Sequence, residues 1–389
     1  MITVHGAFRN TLLRVADRVL TAIVPRARAP LRPAAPRVLV IRCDHLGDAT
    51  LSTAPLQAIR DALQPSRMDV ACGPWAASIF DGHPAVDAVL GVAAPWWLVR
   101  DRAGLVERGR AWFALAVFVL MIRRRRYDVG IDLRGDLRHF IWFFWLGGIP
   151  ERVSSDRTGG AVFLTSCAPH RDDIHEVTRT LAIAASIGAA SNGRPTVPKH
   201  TLTPARRAQL GLPPRFIAIA PRGASPNRQW PAGHVADLAR LVFGQLGLPL
   251  VYIGSDADRL HAAQVGLAPG EGFMSLAGET TVEELIAILT EAELVVAMDS
   301  GPMHIAAALG VPIVAIWGPT PTDWLPYADD AIIVRSAQPC ECTGLRRCRF
   351  TPGAGRCFQT MSGVMVFSAV QQQFAQRRRI NSPTESVLA

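Results

Sequence analysis

The chain has 389 residues, room for two domains at about 150 residues each. Apolar residues make up 49% and charged residues 19%, which excludes a disordered chain, and its 32 glycines and 29 prolines are dispersed, which excludes collagen-like and low-complexity readings. The formal charge is +9, with one lysine (Lys199) among 41 basic residues, and the aromatics are not interleaved with a continuous basic surface, so no nucleic-acid partner is expected.

Residues 1–36 hold six arginines against one acid, Asp17. Phe8, Leu12, Val15, Ala16, Val19 and Ile23 fall at helical spacing, with Arg9, Arg14 and Arg18 off that stripe. A basic amphipathic helix of this kind can lie on an anionic lipid surface. The arginines also interrupt any signal-peptide core. The longest apolar run, Ala111 to Ile122, is too short for the about 20 residues a span needs. It leads into Arg123-Arg124-Arg125-Arg126 and is a second candidate for lipid contact. Both segments read equally well as helices packed on the protein. A cytoplasmic protein, with peripheral contact at the inner face of the membrane, is the expectation.

Arg37 to Arg42 reads as a buried strand, followed by a loop over 43–47 and a helix over about 48–63. Strand-like runs recur at 68–72, 86–90 and 127–133, with helical stretches between them. That alternation signals a parallel sheet. The stretch 188–214 is rich in Gly, Pro and Ser and reads as an interdomain linker. A second series follows. Strands are expected at 216–220, 249–253, 294–298 and 312–317, and helices at 231–245, 281–290 and 302–309. Thr281 and Glu284 form a possible capping box. A last helix covers 362–378 and could pack back across the domain junction. No sequence repeat relates the two halves.

Three loops after strands carry candidate chemistry. Asp44-His45-Leu46-Gly47-Asp48 follows the first strand, where doubly wound sheets place ligands. Asp48 at a helix start could act as a general base on a hydroxyl, or simply cap the helix. Residues 220–231 follow a later strand, and their small residues (Gly223, Ala224, Ser225) with Arg228 suit a diphosphate. The bland alternative is a Pro-rich turn with Arg228 solvated, and Trp230 reads as core. This loop is neither a Walker A nor a Gly-x-Gly-x-x-Gly motif. Met298-Asp299-Ser300-Gly301-Pro302-Met303-His304 is a second helix-opening anion site, with Asp299 or Ser300 as cap and His304 one turn inside. Gly318-Pro319-Thr320 is a fourth loop on the same sheet edge.

Seven cysteines make no disulfide framework. Cys340, Cys342, Cys348 and Cys357 fall within 18 residues and could hold a structural zinc or iron, though the spacing is not a standard zinc motif. The alternative is reduced structural cysteines. Asp256-Ala257-Asp258 is similar to the metal-binding Asp-x-Asp of sugar-nucleotide enzymes, but more readily opens a helix.

Taken together, the set resembles glycosyltransferase family 9, the ADP-heptose:lipopolysaccharide heptosyltransferases. The residues that carry the resemblance are Val38 to Pro55, Gly223 to Pro231, and Asp299-Ser-Gly-Pro-Met-His304 through Gly310-x-Pro312 to Gly318-Pro-Thr320. Asp132-Leu-Arg-Gly and His175-Glu-Val-Thr-Arg179 add to it. The resemblance spans about residues 37–370.

It implies an α/β, GT-B fold: two Rossmann-like parallel-sheet domains facing across a cleft. The division would be a basic segment 1–36, an acceptor domain 37–195, and a nucleotide-sugar domain 196–361 with its Cys-rich segment 338–357. A C-terminal helix and tail, 362–389, would complete it. It also implies inverting transfer of a heptose from ADP-heptose to a hydroxyl of the lipopolysaccharide inner core, with no metal required for catalysis. Asp48 matches the family's base. Arg228 matches a basic position, usually lysine, that would neutralise the leaving diphosphate. Ser225, Asp299, Ser300, Gly301, Met303 and His304 would bind the donor, with Asp256 or Asp258 near the ribose. Pro302 and Met303 depart from the usual residues. Some members modify autotransporter proteins and carry cysteine-bound iron, so a protein acceptor, or a donor other than ADP-heptose, stands as the alternative.

Overall fold

The run Arg-Val-Leu-Val-Ile-Arg forms strand β1 (Arg37–Arg42), buried from Val38 onward. An uninterrupted apolar run of this length suits a strand covered on both faces. This computed structural model describes residues 30–98, 104–223, 228–268, 270–318, 320–337 and 356–381. The chain divides into two compact units, 1–198 and 199–389.

In the first unit six parallel strands lie in the order β3-β2-β1-β4-β5-β6. The strands after β1 are β2 (Arg67–Cys72), β3 (Ala88–Gly91), β4 (Val129–Asp132), β5 (Glu151–Ser155) and β6 (Ser166–Ala168). The expected helix over 48–63 is two helices, Leu46–Leu51 and Leu56–Leu63. Pro55 lacks the N–H needed to continue the first, and Thr50, Ser52 and Thr53 turn their hydroxyls onto backbone carbonyls. The apolar run 111–122 lies within the helix Leu105–Arg125, whose Leu115, Phe118, Val119 and Ile122 pack into the core beside a π-helical turn, Phe140–Trp145. The proposed basic helix over residues 8–23 lies outside the described residues.

The second unit repeats the topology without repeating the sequence. Its order is β12-β11-β10-β7-β8-β9, again all parallel. Here β7 is Ile217–Ala220, β8 Leu250–Tyr252, β9 Phe273–Ser275, β10 Leu294–Met298, β11 Ile313–Trp317 and β12 Ile332–Arg335. Counted from its own first strand, each sheet has the order 3-2-1-4-5-6. The direction of winding reverses between β1 and β4 in one unit and between β7 and β10 in the other. Ligands of doubly wound sheets bind beyond the carboxyl ends of strands at such reversals. The Asp48 loop follows β1, and the 221–230 and 299–304 loops follow β7 and β10.

Two details differ from expectation. The linker stretch contains a helix, Pro204–Leu210, capped by the Thr203 side chain with Pro204 in its first turn. The last helix, Gly363–Asn381, lies against the helix Ala232–Leu246 and against β11 and β12, with Val366, Phe367 and Val370 in the second unit's core. The Thr281–Glu284 capping box forms as expected, opening the helix Val282–Glu291. Among the described residues no helix is long and apolar enough to cross a membrane.

Candidate functional site

In the first unit the site is built around Arg42, the last residue of β1, whose side chain is fully buried. Its guanidinium reaches three carboxylates: Asp44 at 3.2 Å, Asp48 at 3.3 Å and Glu176 at 2.9 Å. A buried guanidinium is held only when its charge is met, and these carboxylates supply the countercharge while the Leu133 carbonyl accepts from Nη1. Glu176 also accepts from Arg179 at 2.8 Å, and Arg157 approaches to 3.9 Å. Burial alone would raise the Glu176 pKa, but Arg42, Arg157 and Arg179 outweigh it and bring the value down to about 2. Arg134 pairs with Asp44.

Asp48 does not cap its helix. His45 occupies the cap, and Asp48 lies in the first turn with its carboxylate turned to Arg42. Its side chain keeps 16% exposure, against 3% for Asp44 and 2% for Glu176. Of the three acids on Arg42, Asp48 is therefore the one a substrate can reach. Arg42 fixes one oxygen of a carboxylate whose surface remains open.

The loop after β4 completes this edge. Asp132 accepts from the backbone N–H groups of Gly135 and Asp136, from Ser154, and pairs with His139 at 2.8 Å. Gly135 sits at φ +79°, a left-handed position, and a Cβ there would lie 2.5 Å from Ser155 Oγ. That tight turn carries Arg134 back to Asp44. The Asp132-Leu-Arg-Gly motif thus positions the charges around Asp48.

In the second unit the loop after β7 folds as a narrow ribbon. Gly223 N–H donates to the Arg228 carbonyl and Trp230 N–H to that of Pro221. Ser225 lies outside the described residues. The close approach that Gly223 allows is to a neighbouring loop: a Cβ there would meet the Asp299 carbonyl oxygen at 2.9 Å. Trp230 is fully buried, with its indole N–H on the Met361 carbonyl, so the core reading holds.

Asp299, directly after β10, gathers the loops. Arg228 reaches it at 2.5 Å, Thr320 donates to it at 2.9 Å and His304 Nε2 lies 3.7 Å away. Burial would raise its pKa, but His304, Arg228 and Thr320 hold it below the ordinary carboxylate range. Arg228 is half-buried and tied to Asp299 rather than free in solvent. Ser300 occupies the cap of the helix Gly301–Leu309 without a side-chain cap bond, and its hydroxyl turns to the Met298 carbonyl. His304 is buried, and its Nδ1 has no hydrogen-bond partner. A buried polar atom of this kind is one that a ligand or water would satisfy.

Met303 is fully buried, so only its backbone could serve a donor. Asp256 is not buried in a site: its side chain is 86% exposed and paired with Arg259 at 2.6 Å. Asp258 is the member that reaches the loop after β7, accepting from Arg222 at 2.5 Å while closing a capping box with Ser255. The Asp-x-Asp run opens a helical turn, as its bland reading held. Cys340, Cys342 and Cys348 lie outside the described residues, and Cys357 packs in the second unit's core beside Phe358 and Met361. Among the described residues no group of three or more His, Cys, Asp or Glu side chains could hold a metal ion.

The central residues of both clusters were missed or undervalued by sequence reasoning. Arg42 reads as the polar end of a strand, and its signal is a charged residue two positions before Asp44 and six before Asp48. Glu176 lies in the 175–179 motif, whose sequence assigns it no role. Asp299 reads as a cap, whereas its partners lie 71 and 21 residues away.

The model of glycosyltransferase family 9 (heptosyltransferase) matches residues 118–352. Lipopolysaccharide heptosyltransferase 2 of Salmonella typhimurium is 34% identical over 310 residues, covering 75% of this chain and 85% of the relative. The structure of E. coli ADP-heptose lps heptosyltransferase II shares the fold, with a TM-score of 0.70 at 19% identity over 88% of this chain and 99% of that one. The iron-containing dodecameric glycosyltransferase TibC of enterotoxigenic E. coli shares it more loosely, with a TM-score of 0.55 at 12% identity over 89% of this chain and 78% of that one. Two Rossmann-like units in one chain, with these solved neighbours, make the fold GT-B. The chain belongs to glycosyltransferase family 9, the heptosyltransferases, and is a glycosyltransferase.

Proposed function

We propose that this protein transfers a heptose from ADP-heptose to a hydroxyl of the lipopolysaccharide inner core at the cytoplasmic face of the membrane, with inversion and without a catalytic metal. The observation that carries this reading is Asp48, held by buried Arg42 at the carboxyl end of β1 with its surface open. The relatives' names supply the substrate class.

Asp48 takes the proton of the acceptor hydroxyl as that oxygen attacks the anomeric carbon. The new C–O bond forms as the bond from that carbon to the diphosphate oxygen breaks, and its electron pair leaves with ADP. One displacement inverts the centre. Negative charge develops on the diphosphate, and Arg228, Ser225 and the backbone N–H groups opening the 301–309 helix stabilise it. His304 Nδ1 donates to or accepts from the donor. A zinc or iron held by the four cysteines would serve structure and take no part in the transfer.

Purified protein incubated with heptose-deficient lipopolysaccharide core tests this reading. ADP-heptose should yield a core heavier by one heptose, seen by mass analysis. Turnover of a UDP-sugar with none of ADP-heptose, or transfer only to a protein acceptor, would remove it.

A further inference from the structure

The helix Leu105–Arg125 buries one stripe, Ala111, Leu115, Phe118, Val119 and Ile122, as a helix on a sheet must. Its outer side is also apolar. Trp112 is 46% exposed, Phe113 73%, Val117 48% and Leu120 55%. From Trp112 to Leu120 this face runs about 12 Å along the axis. The adjoining π-helical turn extends it. Trp142 lies against Trp112 with ring centroids 5.3 Å apart, and Trp145 is 57% exposed. The turn after Trp145 runs beside the end of the helix, where a Cβ on Gly148 would lie 3.8 Å from Arg123 Nε.

The charges frame this face. Arg108 and Arg110 are exposed at one end and Arg123, Arg124 and Arg126 at the other, with Glu107 the one acid of the helix. Arg125 is committed elsewhere, to Asp69 at 2.7 Å. An ordinary solvated helix would not expose four large apolar side chains in one strip, and a protein-binding strip would not need arginines at both ends. Trp and Phe flanked by arginine match the boundary between acyl chains and anionic headgroups. A second copy of the chain is a poor occupant, because two-fold pairing of this face on itself would set arginine against arginine.

We infer that the outer face of the 105–125 helix, with Trp142 and Trp145, is a docking surface for an anionic phospholipid bilayer. The apolar strip enters the headgroup boundary and the arginines at both ends pair with lipid phosphates. Docking there would hold the unit that carries Asp48 at the lipid surface.

Co-sedimentation of the full chain with vesicles tests this without any sugar substrate, so its outcome is independent of the transfer reaction. Vesicles of phosphatidylcholine mixed with phosphatidylglycerol should bind the protein, and phosphatidylcholine alone should bind it far less. Phe113→Ser with Val117→Ser and Leu120→Ser should weaken anionic-vesicle binding at least about tenfold. Arg123→Gln with Arg124→Gln should weaken it by a similar factor and remove much of its salt dependence. Both variants alter exposed positions and should melt like the parent. Undiminished binding in both variants would assign membrane contact to another segment and overturn the inference. So would equal binding to neutral vesicles, or a parent dimer that the apolar variant dissociates.

Discussion

Arg228 and Asp299 are 71 residues apart in the chain, yet their side chains meet at 2.5 Å beyond the carboxyl ends of β7 and β10. Asp299 also holds Thr320 and approaches His304, so one carboxylate ties together the loops after three strands. This clamp orients the guanidinium before any substrate arrives, and preorganised charge stabilises a developing diphosphate better than a mobile side chain does. Removing the charge should cost mainly the chemical step. Arg228→Ala is expected to lower kcat by about 10²–10³-fold. Arg228→Lys should retain most of the rate, since it keeps the charge while losing the fork geometry. Steady-state rates with ADP-heptose check both, and an unchanged kcat in Arg228→Ala would remove the residue from the leaving-group role.

The charge centre of the first unit predicts an acid-dependent stability. The Glu176 carboxyl is brought from its ordinary 4.5 to about 2, because Arg42, Arg157 and Arg179 overcome the opposing effect of burial. A depressed carboxylate stabilises the fold fully above its unfolded pKa and loses that contribution as the pH falls through the folded value. The window is therefore about pH 4.5 down to 2, and the contribution is about 3 kcal/mol. Glu176→Gln should be less stable at neutral pH and lose less between pH 4.5 and 2. Denaturant unfolding of both proteins across that range checks it, and parallel curves would contradict the pairing.

Much of the fold is legible in the sequence, because strands covered on both faces are continuous apolar runs. Val38–Ile41, Leu294–Met298 and Ile313–Trp317 stand out for that reason. The loops that follow them could be named as candidate sites for the same reason. The break at Pro55 and the helix at 204–210 were also written locally, in a proline and in a Thr-Pro start that a Gly- and Pro-rich setting obscured. What could not be read is which charges meet. Glu176 comes to Arg42 from 134 residues away, and Arg228 and Thr320 come to Asp299 from 71 and 21, through the strand order of each sheet rather than through spacing in the chain.

The proposed transfer uses Arg228 and backbone N–H groups where other transferases use a cation. Rates measured after exhaustive treatment with EDTA should match those of the untreated protein. Loss of activity on chelation, with recovery on adding magnesium or manganese, would contradict a metal-free step.

The most direct measurement compares the parent chain with Asp48→Asn, following heptose transfer from ADP-heptose and ADP binding on the same preparations. The amide keeps the shape of Asp48 but cannot accept the acceptor's proton. Transfer should fall at least about 10²-fold while ADP binding is unchanged, because the nucleotide contacts are assigned to the other unit. Transfer that persists at the parent rate would contradict the role of Asp48 and, with it, the account built on the Arg42 cluster.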